Sequence, residues 1–286
     1  MSLFTEDTLE VPNSILDNDR VSYGFGYWVF RFDAVAKCFL SKEPQLRERE
    51  IAVYERLKRP DTGCHDAILP FYGVLDGKTV LLQFAPNGSI RQYYARHGHH
   101  DTPLQARLRW AEQLASAVIF IQSKGVVHGD ISCNNIFLDE ALNAKLGNFV
   151  GSSIDGSPFL TAYETAHSLP DDESVSIEQE IFALGSTLYE MMTGSRPFDG
   201  MEYWEVETLF RQGRFPPLDH VPALGTVISK CWNGQYGILE DVSGDIKQEQ
   251  NSHHISKDKH TRIFSVQRSP VAIALLATLP IAWLIR

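Results

Sequence analysis

Positive charge is scarce in this chain and missing altogether from one long stretch of it. Lysine and arginine number 26 against 36 aspartates and glutamates, a net charge of −10, which excludes the basic footprint of a nonspecific nucleic-acid binder. From Leu146 to Ser195 there is no lysine or arginine, while Asp155, Glu164, Asp171, Asp172 and Glu173 accumulate. Cysteine is also sparse. Cys38, Cys64, Cys133 and Cys231 lie far apart and form no Cys-x-x-Cys pair, so neither a disulfide framework nor a zinc site is expected, and a reducing compartment fits better. His99 with His100, and His253 with His254, sit in polar stretches without partners at metal-ligand spacing. Residues 1–20 are acidic and lack an apolar core, so no secretory signal is expected there. No internal repeat occurs. Long hydrophobic runs are limited to Val271–Ile285, which is uncharged but broken by Pro280; as a helix it would reach roughly 22 Å, short of the roughly 30 Å hydrocarbon core. Lys257, Lys259, Arg262 and Arg268 precede it with only Asp258 opposing, a flank suited to an anionic membrane face. Weak membrane attachment through residues 271–286 and docking of this tail on the domain both remain open. The location expected is cytoplasmic or nuclear, with membrane association through the tail as the alternative.

What is present suits a globular chain with a sizeable core, 43% of its residues being hydrophobic and 22% charged. Tyr27-Trp28-Val29-Phe30 and Ala34-Val35-Ala36 read as strands around a tight turn near Asp33. Residues 44–58 read as a helix with Pro44 at its first position, where a missing N–H does no harm. Val80 to Phe84 is a buried-type strand ended by the turn Pro86-Asn87-Gly88. Leu104 to Lys124 is a periodic helix with Leu104, Leu108, Ala111, Ala115 and Val118 on one stripe, stopped by Gly125. Phe182 to Thr193 is a further apolar helix ended by Gly194. Strands first and helices later predict an α+β fold: an N-terminal extension at 1–21, a small sheet-rich lobe at 22–85, a larger helical lobe at 86–248, a polar linker at 249–270 and the hydrophobic tail at 271–286.

The chemistry-bearing stretch is His128-Gly-Asp-Ile-Ser-Cys-Asn-Asn135, which sets Asp130 five residues before Asn135 just after the long helix. Phosphoryl transfer from ATP needs a carboxylate to orient the attacking hydroxyl and a nearby oxygen ligand for magnesium, and a short loop can hold both at that spacing. Lys37 lies inside the apolar strand Ala34-Val35-Ala36-Lys37-Cys38-Phe39. Glu50 shares a helix face with Val53, Tyr54 and Leu57 at i, i+3, i+4 and i+7. An inward glutamate needs a cation, because an unpaired buried charge costs several kcal/mol, and Lys37 is the obvious candidate. Gly24-Phe25-Gly26 sits between strand-like segments, though no third glycine follows.

Together these residues resemble the eukaryotic-type protein kinase domain over about residues 22–248, and the chain is similar to short kinase-domain proteins of fungi. The resemblance implies a bilobal fold, ATP and Mg2+ as cofactors, and a protein substrate. It implies that Asp130 orients the substrate hydroxyl, that Lys37 paired with Glu50 holds the α- and β-phosphates, and that Asn135 and Asn148 hold magnesium. It places Gly24 and Gly26 over the phosphates, Val29 over the adenine, Leu82, Gln83 and Ala85 along the adenine edge, and Phe137 beneath the base. Several positions depart from the family pattern. Asn148-Phe149-Val150-Gly151 stands where Asp-Phe-Gly is expected, and the change from carboxylate to carboxamide is expected to cost about 3–4 kcal/mol, or roughly 10²–10³ in rate. Gly129 replaces the arginine that clamps an activation-segment phosphate. Glu180 replaces the aspartate that anchors the catalytic loop, Ser132 replaces a lysine, and no Ala-Pro-Glu follows the segment. Cys133, inside the loop, reads as a quiet, partly buried thiol rather than a reactive one.

The expected function is therefore transfer of the γ-phosphoryl group of ATP to protein hydroxyls at reduced efficiency, with serine and threonine favoured on base rate alone. The alternatives are a pseudokinase acting as a nucleotide-binding interaction module, and a small-molecule phosphotransferase of the aminoglycoside type, whose loop also opens His-Gly-Asp. The helix 181–194 and the Lys37–Glu50 arrangement speak against the last.

Overall fold

A computed structural model of the chain describes residues 20–24, 27–30, 33–58, 65–171 and 174–266, with side chains described within 33–58, 65–171 and 174–253. It opens with an antiparallel hairpin, β1 (Arg20–Gly24) and β2 (Tyr27–Phe30), in which Gly24 faces Tyr27. β3 (Ala34–Lys37) leads through α1 (Pro44–Leu57) to β4 (Phe71–Leu75) and β5 (Thr79–Gln83), and the three strands form an antiparallel sheet in the order β3-β5-β4. The helix buries one face, Glu50, Val53, Tyr54 and Leu57, as its apolar spacing demands. Tyr54 stacks on Phe71 of β4 at 5.0 Å and meets Phe149 edge-on at 5.1 Å. One ring thus ties helix, sheet and the segment after Asn148 together.

Beyond Gln83 the chain becomes mainly helical. α2 (Ile90–His97) is started by a capping box between Ser89 and Gln92. α3 (Leu104–Ser123) buries Leu108, Ala111, Ala115 and Val118 on the expected stripe, and its Trp110 is fully buried with Nε1 donating to the Leu142 carbonyl at 2.8 Å. Short antiparallel pairs follow: β6 (Val126–Val127) with β9 (Ser153–Ile154), and β7 (Ile136–Leu138) with β8 (Ala144–Leu146). These pairs hold residues 128–135 and 147–152 as the loops between them. α4 (Ile177–Thr193) runs through the core with every side chain from Gln179 to Met192 buried. It starts five residues before the apolar run, because Ser176 caps it by accepting from the Gln179 N–H and because the first turn buries Gln179 and Glu180. Gly194 ends it in the left-handed conformation, φ +80°. α5 (Tyr203–Arg211) and α6 (Gly225–Trp232) complete the helices that pack near it.

The last helix, α7 (Leu239–Val266), runs through most of the stretch expected as a polar linker at 249–270. That stretch is polar, but between Gly244 and Val266 it holds no proline or glycine to stop a helix already begun. Residues 1–250 form one compact unit and 251–286 a second. The hydrophobic run 271–285 lies outside the described residues, and among those described no helix is long and apolar enough to cross a membrane.

α4 and α6 touch most closely at Gly185, where an added Cβ would lie 2.5 Å from Cys231 Cβ, and Trp232 Nε1 donates to Ser186 Oγ one residue further on at 3.0 Å. Gly185→Ala is expected to destabilise the protein by about 1–3 kcal/mol through overpacking, read as a lower midpoint in urea unfolding with unchanged slope. A midpoint equal to that of the native protein would show that the two helices have room to part.

Candidate active site

The loop after β6 is held from beneath. His128 is fully buried; its Nδ1 accepts the Asp130 N–H at 3.2 Å, so Nε2 carries the proton donated to the Gly147 carbonyl at 3.0 Å. Burial lowers its pKa to about 4, so the ring is neutral. Gly129 follows with φ +79°, and a Cβ there would lie 2.6 Å from the Phe159 ring. The space beside residue 129 is therefore filled by an aromatic ring from the segment 152–164. The backbone N–H groups of His128 and Gly129 both donate to the buried Glu180 carboxylate, at 3.1 and 2.9 Å, and the Tyr163 hydroxyl donates to it at 2.5 Å. Burial raises the Glu180 pKa, with those donors opposing.

This anchoring presents Asp130. The Asn135 amide donates to both the Asp130 carbonyl and Asp130 Oδ2, each at 2.7 Å, while Oδ1 is buried with no partner. Burial pushes the Asp130 pKa up to about 6, against the Asn135 hydrogen bond. An orphaned carboxylate oxygen is costly, and it suits a donor brought by a ligand, such as a hydroxyl.

From Asn135 the contacts continue without a break to the sheet. Asn148 Nδ2 donates to Asn135 Oδ1 at 2.8 Å, and Asn148 Oδ1 accepts from Lys37 Nζ at 2.8 Å. Lys37 Nζ also donates to Glu50 Oε1 at 2.9 Å and lies 2.8 Å from Oε2. Asn148 adopts φ +65°, a left-handed conformation that asparagine and aspartate tolerate better than most residues. Glu50 has no solvent exposure; burial raises its pKa and the Lys37 ammonium opposes. Lys37, Glu50, Asp130, Asn135 and Asn148 are thus brought together as one chain of contacts.

A cavity of about 960 Å³ opens beside them, lined by Lys37, Asn135 and Asn148 together with Leu82, Gln83, Ala85 and Phe137. Gly24 ends β1 at the hairpin, Gly26 lies outside the described residues, and Val29 belongs to β2. Its volume and mixed lining suit a small organic ligand. Cys133 is fully buried, its thiol directed at the Thr187 carbonyl at 3.8 Å, and burial raises its pKa well above the ordinary value.

Sequence reasoning missed the groups that fix the segment after Asn148. Arg49 donates to the Ser152 and Pro158 carbonyls, and Arg56 pairs with Asp155 at 2.7 Å. Their spacing of seven on α1 was the available signal, since it puts both on one face. Arg91 of α2 donates to Glu164 and Glu190 at 2.7–3.1 Å, and against its burial the Glu190 pKa is held down to about 2 by the neighbouring His167 ring and the Arg91 guanidinium. No local pattern announces Arg91, because its partners are 73 and 99 residues away.

Residues 37–237 match the family described as "Protein tyrosine and serine/threonine kinase". Similar proteins include Serine/threonine-protein kinase ppk16 of Schizosaccharomyces pombe, 30% identical over 178 residues that make up 58% of this chain and 25% of that protein. Tyrosine-protein kinase Shark of Drosophila melanogaster is 28% identical over 64% of this chain and 21% of its own length. Mitogen-activated protein kinase kinase kinase 18 of Arabidopsis thaliana is 25% identical over 81% of this chain and 69% of its own. The chain thus spans about a quarter of the fungal relative and less of the insect one.

Tyr163→Phe removes one of the donors to Glu180, and the expected loss is about 1.5–3 kcal/mol of stability, measured by denaturant unfolding. Phosphate on Tyr163 would add nearly two negative charges beside that buried carboxylate. Phosphorylation there, or at Thr161, is expected not to raise activity, and a tenfold rise would contradict the anchoring role.

Proposed function

The chain belongs to the protein tyrosine and serine/threonine kinase family, and on that premise we propose that it binds ATP in the cleft beside Lys37 and slowly transfers the γ-phosphoryl group to protein hydroxyls. The observation that carries this reading is the unbroken contact path Glu50–Lys37–Asn148–Asn135–Asp130, whose three middle residues line the cavity. Lys37, fixed by Glu50, presents its ammonium to the phosphates. Leu82, Gln83 and Ala85 offer the adenine edge and Phe137 one of its faces. Asp130 accepts the hydrogen bond of the incoming hydroxyl at its unpartnered Oδ1. Serine or threonine is the proposed acceptor.

The residues fit magnesium through neutral oxygens: the Asn135 and Asn148 amide oxygens each keep a second lone pair beyond their present hydrogen bond. Asn135 and Asn148 would hold the ion. When bound, it would supply positive charge against the transferring phosphate. Neutral amides hold a divalent cation more weakly than a carboxylate does, which is why the transfer is proposed to be slow.

A second reading, a nucleotide-binding module without transfer, is favoured by one observation: the Asn148 carboxamide is already engaged at both its oxygen and its nitrogen. Magnesium-dependent transfer to a generic protein substrate separates the two. Native protein is expected to transfer slowly, Asp130→Ala not at all, and Asn148→Asp faster by about 10²–10³. Activity confined to the Asn148→Asp form would leave the second reading standing.

The reaction is also expected to depend on pH. Asp130 must be ionised to accept the hydroxyl proton, and its pKa is about 6; the rate should fall as pH drops through 6 and level off above it. A profile flat from pH 5 to 8 would remove Asp130 from that role.

A further inference from the structure

Resting on the reading that this cleft takes ATP, we propose that it holds the nucleotide as the metal-free anion, so that binding does not depend on magnesium. The case begins with charge. A carboxylate at residue 148, next to Lys37 on the cavity wall, would face the phosphates with like charge, and only a cation between them would offset the repulsion. Asn148 removes that charge. Its oxygen already accepts from Lys37 at 2.8 Å and its nitrogen already donates to Asn135 at 2.8 Å. The Lys37–Asn148–Asn135 stretch of the wall is therefore hydrogen-bonded without a cation to bridge it.

Lys37 is left able to act alone. Its ammonium donates to Glu50 Oε1 and Asn148 Oδ1, and of its three N–H groups one remains for a phosphate oxygen. Glu50 is spent on that same ammonium. The next acidic group along the contact path is Asp130, which does not line the cavity; its Oδ2 accepts from Asn135 and its Oδ1 is buried. The metal's contribution is thereby moved from holding the nucleotide to assisting transfer.

The test is calorimetric titration of the full chain with ATP, once in EDTA and once in excess magnesium. Native protein is expected to bind with dissociation constants within about threefold of each other. Asn148→Asp, which restores the like charge, is expected to lose about tenfold or more in EDTA and to recover with magnesium. Tightening of native binding by magnesium beyond about tenfold overturns the proposal, and so does an Asn148→Asp protein that binds equally in both buffers. The native titration decides the matter by itself if the variant does not fold. Absence of binding in either buffer defeats the ATP reading and the proposal with it, an outcome distinct from magnesium dependence.

Discussion

A glutamate with no solvent exposure sets the geometry of everything around it. Glu50 is carried inward by the apolar face of α1, among Val53, Tyr54 and Leu57, and a lone buried carboxylate there would cost several kcal/mol. Lys37 meets it from β3. The pair therefore fixes the distance between helix and sheet and leaves an ammonium on the cavity side. Removing the lysine would cost about 3–5 kcal/mol for the carboxylate left behind. From this one pair, hydrogen bonds pass through Asn148 and Asn135 to Asp130. The position of the reactive carboxylate is thus tied to a helix that is remote from it in sequence.

The opposite side of the site is held by another buried carboxylate with a different set of partners. Glu180 collects backbone N–H groups from His128 and Gly129 and the hydroxyl of Tyr163. Its extra methylene, compared with aspartate, is consistent with reaching the loop and the tyrosine together. Around it the segment from Ser152 to Glu164 is fixed by Arg49 and Arg56 of α1, by Phe159 against Gly129, and by Arg91 on Glu164. The stretch lacking lysine and arginine is held by cations from elsewhere in the chain.

What was legible in the sequence follows the range of each interaction. The Glu50 face, the five-residue step from Asp130 to Asn135, the Leu104–Ser123 helix and the core helix were visible because periodicity and spacing are local properties. The hydrogen bond from Lys37 to Asn148 spans 111 residues and was not foreseen, since the family resemblance placed the two near one nucleotide but not in contact. Arg91, Phe159 and Tyr163 were not assigned these contacts, since each is defined by a partner that only folding brings near. The helical form of the stretch 249–266 was hidden for another reason: helix propensity needs no apolar residues, and between Gly244 and Val266 no proline or glycine breaks the helix.

Asn148 shows how one atom changes what a site requires. Aspartate and asparagine have the same shape and both tolerate the left-handed backbone found there, φ +65°. An aspartate would accept from Lys37 but could not donate to Asn135, whose Oδ1 would then need another donor or a cation. The carboxamide supplies that donor itself. Asn148 therefore bridges Lys37 and Asn135 by itself while carrying no charge. Both effects come from the same nitrogen atom, so the added hydrogen bond and the lost charge are one property seen from two sides.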